Sequence, residues 1–453
     1  MTFCRLRQSP SWTVSLDHDK EDNLNIAIIT LGCPKNQVDS EVMAGILFDN
    51  GLKIVKEVGS ADVVLINTCG FIESAKQESI DTILKIIGLK KKGKPKIYVW
   101  GCLSERYKEE IVNELPEVDG FFGVEPFIQI ARLLGESDYT PRKSEVYRSC
   151  LSTPAHTAYL KIADGCDHLC TFCAIPLIKG PYRSRTIKSL IHEAEFLAGR
   201  GVKELILIAQ DTTRYGADLE KGADLYSLLR QLVRIEGIQW IRIMYTHPNH
   251  VDENLAALIA AEEKICGYLD MPLQHISNAM LRKMGRGSTR KTIVRLIEML
   301  RREIPGLILR TSFIVGFPGE TETCFQELLS FVRDMRFERL GAFVYSSEEG
   351  TKAAEYRETV NKRTAEKRLR ILMDLQKGIA SEINRSLEET VLPVLVDGYD
   401  DTQKLYYGRS GGDCLDIDQT VWIQGEAAIG EIEPVRVIAS SSYDLMGQSI
   451  INS

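Results

Sequence analysis

The chain has 453 residues, 44% of them hydrophobic and 26% charged, an ordinary globular composition with length enough for two or three domains. Its formal net charge of -7 excludes an overall basic field of the kind that gathers nucleic acid, leaving only local patches to do so. No apolar run approaches the roughly 20 residues that span a bilayer, and the polar stretch 1–25 lacks the apolar centre of a secretory signal. The eleven cysteines are therefore expected as free thiols and thiolate ligands of a cytoplasmic protein, not as disulfides.

Residues 1–24 carry Ser9-Pro10-Ser11 and the charged run from Asp17 to Asp22 without periodicity, which predicts a disordered extension. From Asn25 apolar runs and helical stretches alternate: strands over Ile26–Leu31, Asp62–Asn67 and Lys96–Trp100, helices over Ser40–Asn50, Glu73–Leu89 and Glu105–Leu115. This alternation predicts a domain over 25–140 built on a parallel sheet with helices on both faces. Cys33, Cys69 and Cys102 each close one of its strands. Ligands of open α/β sheets gather at the carboxyl ends of strands, so three cysteines at equivalent ends can meet as metal ligands. Taken singly, each also reads as a small buried hydrophobe, the usual fate of a free cysteine.

The polar, irregular text between Gly135 and Ala155 predicts a linker. A second domain, over 155–385, opens with the strand Ala158–Ala163, which leads into Gly165-Cys166-Asp167-His168-Leu169-Cys170-Thr171-Phe172-Cys173. Cysteines at spacings of four and three can converge on one metal centre. A closed site takes four ligands, so the loop either borrows His168 or a remote cysteine, as structural zinc does, or leaves a metal position open for chemistry. No CxxC partner pair exists elsewhere in the chain, which favours the open position.

Further strands are predicted over Glu204–Ala209, Gln239–Met244, Gly267–Met271, Leu307–Val315 and Leu340–Tyr345, with helical text between them. Six such units read as a partial (β/α) barrel, whose chemistry sits at the carboxyl ends of its strands. Those ends carry Gln210-Asp211, Thr246-His247-Pro248, Gln274-His275 and Gly316-Phe317-Pro318-Gly319-Glu320. Phe172 reads either as a core aromatic or as a shield for a bound group. Arg183 and Arg185, just beyond the cysteine loop, read either as clamps for a carboxylate or as solvated charge. His247 and His275 are expected as hydrogen-bonded loop histidines, and Gly285-Arg286-Gly287 as a turn. Cys4, Cys150, Cys266, Cys324 and Cys414 show no ligand spacing.

Asn361–Ser386 predicts a charged amphipathic helix. Over 386–453 short β-rich runs at Val391–Val396, Lys404–Gly408, Thr420–Gln424 and Glu433–Ile438 predict a small antiparallel barrel. From Ile383 to Ser453 there are twelve acidic and four basic residues. Such a module repels RNA and attracts a basic protein.

The spacing CxxxCxxC, with Phe172 before its last cysteine, resembles the signature of the radical S-adenosylmethionine (SAM) enzymes. Leu31-Gly32-Cys33-Pro34-Lys35-Asn36-Gln37-Val38-Asp39-Ser40-Glu41, with Asn67-Thr68-Cys69 and Gly101-Cys102, resembles the N-terminal domain of the methylthiotransferases. Pro34-Lys35-Asn36 is more similar to members that modify a ribosomal protein than to those that modify tRNA, and the last barrel resembles a TRAM domain. The resemblance implies an α/β fold: a flavodoxin-like N-terminal domain, a partial (β/α)6 radical SAM barrel and a TRAM barrel.

It also implies two 4Fe-4S clusters, one on Cys166, Cys170 and Cys173 with SAM on its open iron, and an auxiliary one on Cys33, Cys69 and Cys102. Phe172, Gln210, Asp211, Gly316 and Glu320 would contact SAM. One electron would cleave SAM to methionine and a deoxyadenosyl radical, which would take hydrogen from the β-carbon of an aspartate in ribosomal small-subunit protein S-twelve. That carbon would collect methylthio sulfur from the auxiliary cluster, a second SAM supplying the methyl group. The substrate protein would dock on the acidic barrel and the electron would come from flavodoxin or ferredoxin, with the sulfur donor left open. Two positions depart from the family: Lys179 stands where arginine is common, and His247 where a tyrosine-proline pair is expected. A tRNA adenosine methylthiotransferase and a non-enzymatic iron-sulfur adaptor or redox sensor are the alternatives.

Overall fold

The structure, a computed structural model, describes residues 24–91, 93–135 and 146–450. Residues 1–23 of the expected N-terminal extension, among them Cys4, and residues 136–145 of the expected linker lie outside these. Packing divides the chain into two units: residues 1–168 with 173–201 and 348–350, and residues 169–172 with 202–347 and 351–453.

The first unit begins with β1 (Asn25–Thr30), α1 (Pro34–Asp49), β2 (Lys53–Val55), β3 (Val63–Thr68), α2 (Glu73–Ile87), β4 (Lys96–Gly101), α3 (Cys102–Glu114), β5 (Gly120–Phe121) and α4 (Phe127–Leu134). Its strands run parallel in the order β2-β1-β3-β4-β5. That is the flavodoxin-like order, with its topological switch point between β1 and β3. All six residues of β3 are buried, as a strand covered on both faces requires. The helix expected from Ser40 begins six residues earlier, at Pro34. Apolar periodicity missed this turn because its buried residues, among them Lys35, Asn36 and Asp39, are polar. The unit continues through β6 (Thr157–Lys161), β7 (Ala163–Asp164), α5 (Ile175–Lys179), β8 (Arg183–Ser184) and α6 (Ile187–Gly199), with β7 and β8 paired antiparallel.

The second unit alternates β9 (Glu204–Ile208), α7 (Leu225–Leu232), β10 (Trp240–Ile243), α8 (Glu253–Ala261), β11 (Ile265–Asp270), α9 (Asn278–Lys283), α10 (Arg290–Glu303), β12 (Ile308–Val315), α11 (Glu322–Met335) and β13 (Arg339–Val344). The five strands lie side by side and parallel in sequence order. Just past two neighbouring strands, Tyr245 (φ 57°) and Gln274 (φ 70°) hold left-handed backbone, a strain of about 1–3 kcal/mol each that clusters at functional sites.

The long helix α12 (Lys362–Ser386) leads into β14 (Val391–Asp400), β15 (Leu405–Ser410), β16 (Thr420–Gln424), β17 (Ile432–Ser440) and β18 (Asp444–Ser449). These close a barrel in the order β14-β15-β16-β18-β17 around Val394, Val396, Val421, Ile423, Val435, Val437 and Leu445. The expectation of a purely antiparallel barrel is corrected at one seam, where β16 and β18 run parallel. The strand β18 was not anticipated: Met446-Gly447-Gln448 carries no apolar alternation, and closure of the barrel holds it.

The acidity of this barrel is partly structural. Arg409 bonds Asp397 (2.7 Å) and Glu204 (2.7 Å), and Glu204 also bonds Arg242 (2.9 Å). Arg310 bridges Asp270 (2.8 Å) and Asp418 (3.3 Å), and Arg339 bonds Asp413 (2.6 Å). Three of the twelve acidic residues counted in the sequence, Asp397, Asp413 and Asp418, are thus buried glue between β-barrel and parallel sheet. Removing one partner from such a network leaves the others charged and desolvated. Arg409→Met is therefore expected to destabilise the protein by about 3–5 kcal/mol, read as a lowered midpoint in denaturant unfolding.

Candidate functional site

Cys33 caps α1 in an extended conformation with Pro34 at the first helical position, the position where proline's missing N–H costs nothing. Cys69 follows β3, and Cys102 opens α3 directly after β4. The loops touch. A Cβ on Gly32 would lie 2.7 Å from the Cβ of Cys69, and one on Gly70 would lie 2.9 Å from the carbonyl carbon of Cys102. Glycine beside each cysteine loop is what lets the three strand ends close together.

Asn36 ties all three. Its Nδ2 donates to the carbonyls of Leu31 (2.9 Å) and Thr68 (3.1 Å), and its Oδ1 accepts from the Cys102 thiol (3.8 Å). Asn67 donates to the Asn36 carbonyl (2.8 Å) and to Ser40 Oγ (3.0 Å), while Ser79 Oγ accepts from the N–H of Cys69 (3.1 Å) and donates to its carbonyl (2.9 Å). The polar first turn of α1 is buried because it fastens the cysteine loops.

Burial pushes the Cys69 thiol up to about 11, with the charge of Cys33 adding to it. Burial likewise takes Cys102 up to about 12; Lys179 opposes this, and Cys33 and Cys69 reinforce it. As bare thiols the buried pair stays protonated at neutral pH, and each ionised sulfur penalises the next. A cationic centre relieves both penalties at once and takes soft thiolates as ligands. Three converging thiolates therefore fit an iron-sulfur cluster with one iron unligated by protein.

The second cysteine loop is clamped at its base. Gly165 (φ 75°) sits where a Cβ would lie 2.0 Å from the carbonyl oxygen of Pro181. The N–H of Cys166 donates to the Gly180 carbonyl (3.1 Å), that of Tyr182 to Asp167 Oδ1 (3.0 Å), and that of His168 to the Cys166 sulfur (3.4 Å). In the second unit, Thr171 bonds the carbonyls of Met284 (3.0 Å) and Lys283 (2.9 Å). Arg286 donates to the Cys170 sulfur (3.4 Å) and to the Pro272 carbonyl (2.7 Å). The segment Gly285-Arg286-Gly287 is a turn, as expected, but its arginine carries a role the sequence did not signal. The arrangement suits a thiolate that accepts a charged hydrogen bond.

Phe172, half-buried, meets Phe317 edge to face (6.5 Å) beside Met280, Met284 and Tyr345. Asp211 accepts from Thr213 (N–H 3.0 Å, Oγ1 2.5 Å) and pairs with His250 (3.0 Å), whose ring lies 5.3 Å from that of His247. Gln210 is half-buried beside it. His275 Nδ1 accepts from the N–H groups of Ile276 (2.8 Å) and Ser277 (3.0 Å), so its proton sits on Nε2 and points at Glu320 (3.2 Å). Glu320 also accepts from Gly316 N (2.6 Å) and Arg368 (2.7 Å). Its carboxylate is taken up internally and shapes the turn that presents Gly316. Arg185 is likewise engaged, with Glu193 (2.6 Å), which shares Arg148 with Glu41 (both 2.6 Å). Arg183 stays exposed, paired with exposed Glu125 (2.5 Å).

Asn36 is the residue on which closure of the strand ends turns. Asn36→Leu removes the bonds to two loops and the acceptor beside Cys102, at about 1 kcal/mol per bond. The variant is expected to unfold about 2–3 kcal/mol more easily and to retain less iron after anaerobic reconstitution than the parent, by colorimetric iron assay.

Three family descriptions match successive parts of the chain: uncharacterized protein family UPF0004 over residues 25–123, the radical SAM superfamily over 160–332, and the TRAM domain over 390–450. Ribosomal protein uS12 methylthiotransferase RimO of Acetivibrio thermocellus is 46% identical over 447 residues, covering 94% of this chain and 99% of that protein. The protein of the same name from Geotalea uraniireducens is 45% identical over 94% of this chain and 98% of its own length. Among solved structures, the radical SAM methyltransferase TsrM of Kitasatospora setae superposes with a TM-score of 0.53 at 16% identity, over 73% of this chain and 77% of that one. That likeness speaks to fold alone, whereas the first two relatives match nearly from end to end. The chain belongs to the RimO family of radical SAM methylthiotransferases.

Proposed function

We infer that the chain adds a methylthio group to the β-carbon of an aspartate in ribosomal protein uS12, using SAM and two 4Fe-4S clusters. The observation that carries this reading is 46% identity to a RimO enzyme across 94% of the chain. Cys166, Cys170 and Cys173 hold the cluster that binds SAM, and Cys33, Cys69 and Cys102 hold the auxiliary cluster. Bound there, these groups supply the radical and the sulfur that an unactivated C–H bond needs, since acid-base catalysis does not readily reach such a carbon.

The chain's own residues bind, orient and exclude. Arg286 steadies the Cys170 thiolate, and the strand-end residues Gln210 and Asp211, the Gly316 turn shaped by Glu320, and Phe172 line the place of SAM. Arg183 is the more accessible of the two arginines beyond the cysteine loop and suits a substrate carboxylate; Arg185 belongs to the ionic frame around Glu193. The basic substrate docks on acidic residues still exposed on and just before the C-terminal barrel, among them Glu388, Glu389, Asp401, Asp416 and Glu426, a surface unfavourable to RNA. Flavodoxin or ferredoxin supplies the electron. No helix among the described residues is long and apolar enough to cross a membrane, and the site of action is the cytoplasm, where ribosomes are found.

Anaerobically reconstituted protein is expected to carry about 8 irons per chain, and Cys33→Ala to bring this to about 4; an unchanged content in the variant would refute the auxiliary cluster. In a strain lacking this chain, mass spectrometry of uS12 is expected to show the methylthio group gone. If the group persists there while methylthio-adenosine disappears from tRNA digests, the substrate is tRNA instead.

A further inference from the structure

The first unit holds a buried square of charge. Lys179 Nζ lies 3.2 Å from Asp39 and 3.3 Å from Asp164. Lys161 completes the square, bonded to Asp39 and, at 3.2 Å, to Asp164. The side chains of Asp39 and Lys179 are each 4% exposed. Three of the four corners belong to elements of the first unit that adjoin a cysteine, and the fourth, Lys161, ends β6. Asp39 lies on α1, which Cys33 caps; Asp164 closes β7 just before Cys166; Lys179 ends α5, the helix just after Cys173. The same helix packs Ala174 and Ile178 against Cys102.

A neutral quartet of this kind is a poor device for stability, because apolar residues of similar volume serve at least as well. Its charges are therefore better explained by what they face. The ammonium of Lys179 is the charge that opposes the upward push on the Cys102 thiol, ahead of the carboxylate of Asp39 acting the other way. In surroundings this dry, a fixed positive charge is screened little and acts strongly on a neighbouring anionic group.

We propose that Lys179 is a positioning residue for the auxiliary centre: held by Asp39 and Asp164 at the end of the helix that packs on Cys102, its ammonium raises the reduction potential of the cluster bound by Cys33, Cys69 and Cys102. Reduction adds negative charge to the cluster, and a nearby cation stabilises the reduced form more than the oxidised one. The proposal rests on the two-cluster reading above.

The test uses the full chain carrying Cys166→Ala, Cys170→Ala and Cys173→Ala, reconstituted anaerobically so that only the auxiliary cluster remains. Iron content and an EPR-monitored redox titration are compared with Lys179 intact, Lys179→Arg and Lys179→Met. Lys179→Met is expected to shift the midpoint to lower potential at unchanged iron content, and Lys179→Arg to keep it near the parent value. Equal midpoints for the methionine and arginine variants would overturn the proposal. If Lys179→Met does not fold, Lys179→Gln keeps the shape and polarity without the charge and carries the same expectation. Absence of iron in the triple-alanine protein with Lys179 intact would instead refute the two-cluster reading itself.

Discussion

The amide of Asn36 spans three loops that meet only because a parallel sheet brings the ends of β1, β3 and β4 together. Its two N–H bonds reach the residues that precede the cysteine turns of the first two loops, and its oxygen meets the thiol of the third. A side chain in that place cannot be apolar, since the carbonyls it satisfies are buried and would otherwise lie unpaired. The second turn of α1 is polar as well. Asp39 enters the charged square, Ser40 takes a bond from Asn67, and Glu41 anchors Arg148. Two polar turns thus serve both as the start of a helix and as the clasp of the cysteine site.

Buried charge has a different meaning at the other end of the chain. The carboxylates of Asp397, Asp413 and Asp418 face Arg409, Arg339 and Arg310, and Arg409 and Arg310 also bond Glu204 and Asp270 on the parallel strands. Burial alone would push the Glu204 carboxyl up, yet Arg409 and Arg242 hold it below its usual value. This network fixes the barrel's orientation on the sheet of its own unit, and geometry that exact in its donors resists slippage in a way an apolar seam does not. The acidity that faces solvent is the exposed remainder, smaller than the sum over the segment.

Functional groups near the strand ends sort themselves by what their polar atoms are already doing. Glu320 is committed to internal partners and Arg185, partly exposed, to Glu193, and their contribution is the shape of a turn and the stiffness of a domain. Arg286 looks like an ordinary turn residue in the sequence, between two glycines, yet it points its guanidinium at the sulfur of Cys170. Tyr245 and Gln274 hold strained backbone just past adjacent strands, a cost the surrounding fold sustains where strand ends must present particular atoms.

The CxxxCxxC spacing, the strand-end positions of Cys33, Cys69 and Cys102, the alternation of strands and helices, and the change to short β-runs after α12 were legible in the amino-acid order, because spacing, period and turn chemistry are local properties; the grouping of the three strand-end cysteines was drawn from resemblance. The order β2-β1-β3-β4-β5 agrees with the flavodoxin-like expectation drawn from resemblance. What only the tertiary structure decided are relations between residues far apart in the chain. Polar residues at the start of α1 broke the apolar period that marks a helix, so its first turn was invisible until its partners across the strand ends appeared. The strand β18 lacks alternation and exists because a barrel must close. Net charge counted along a segment could not separate a carboxylate facing solvent from one facing Arg339, since that difference lies in where an arginine many residues away is carried by the fold.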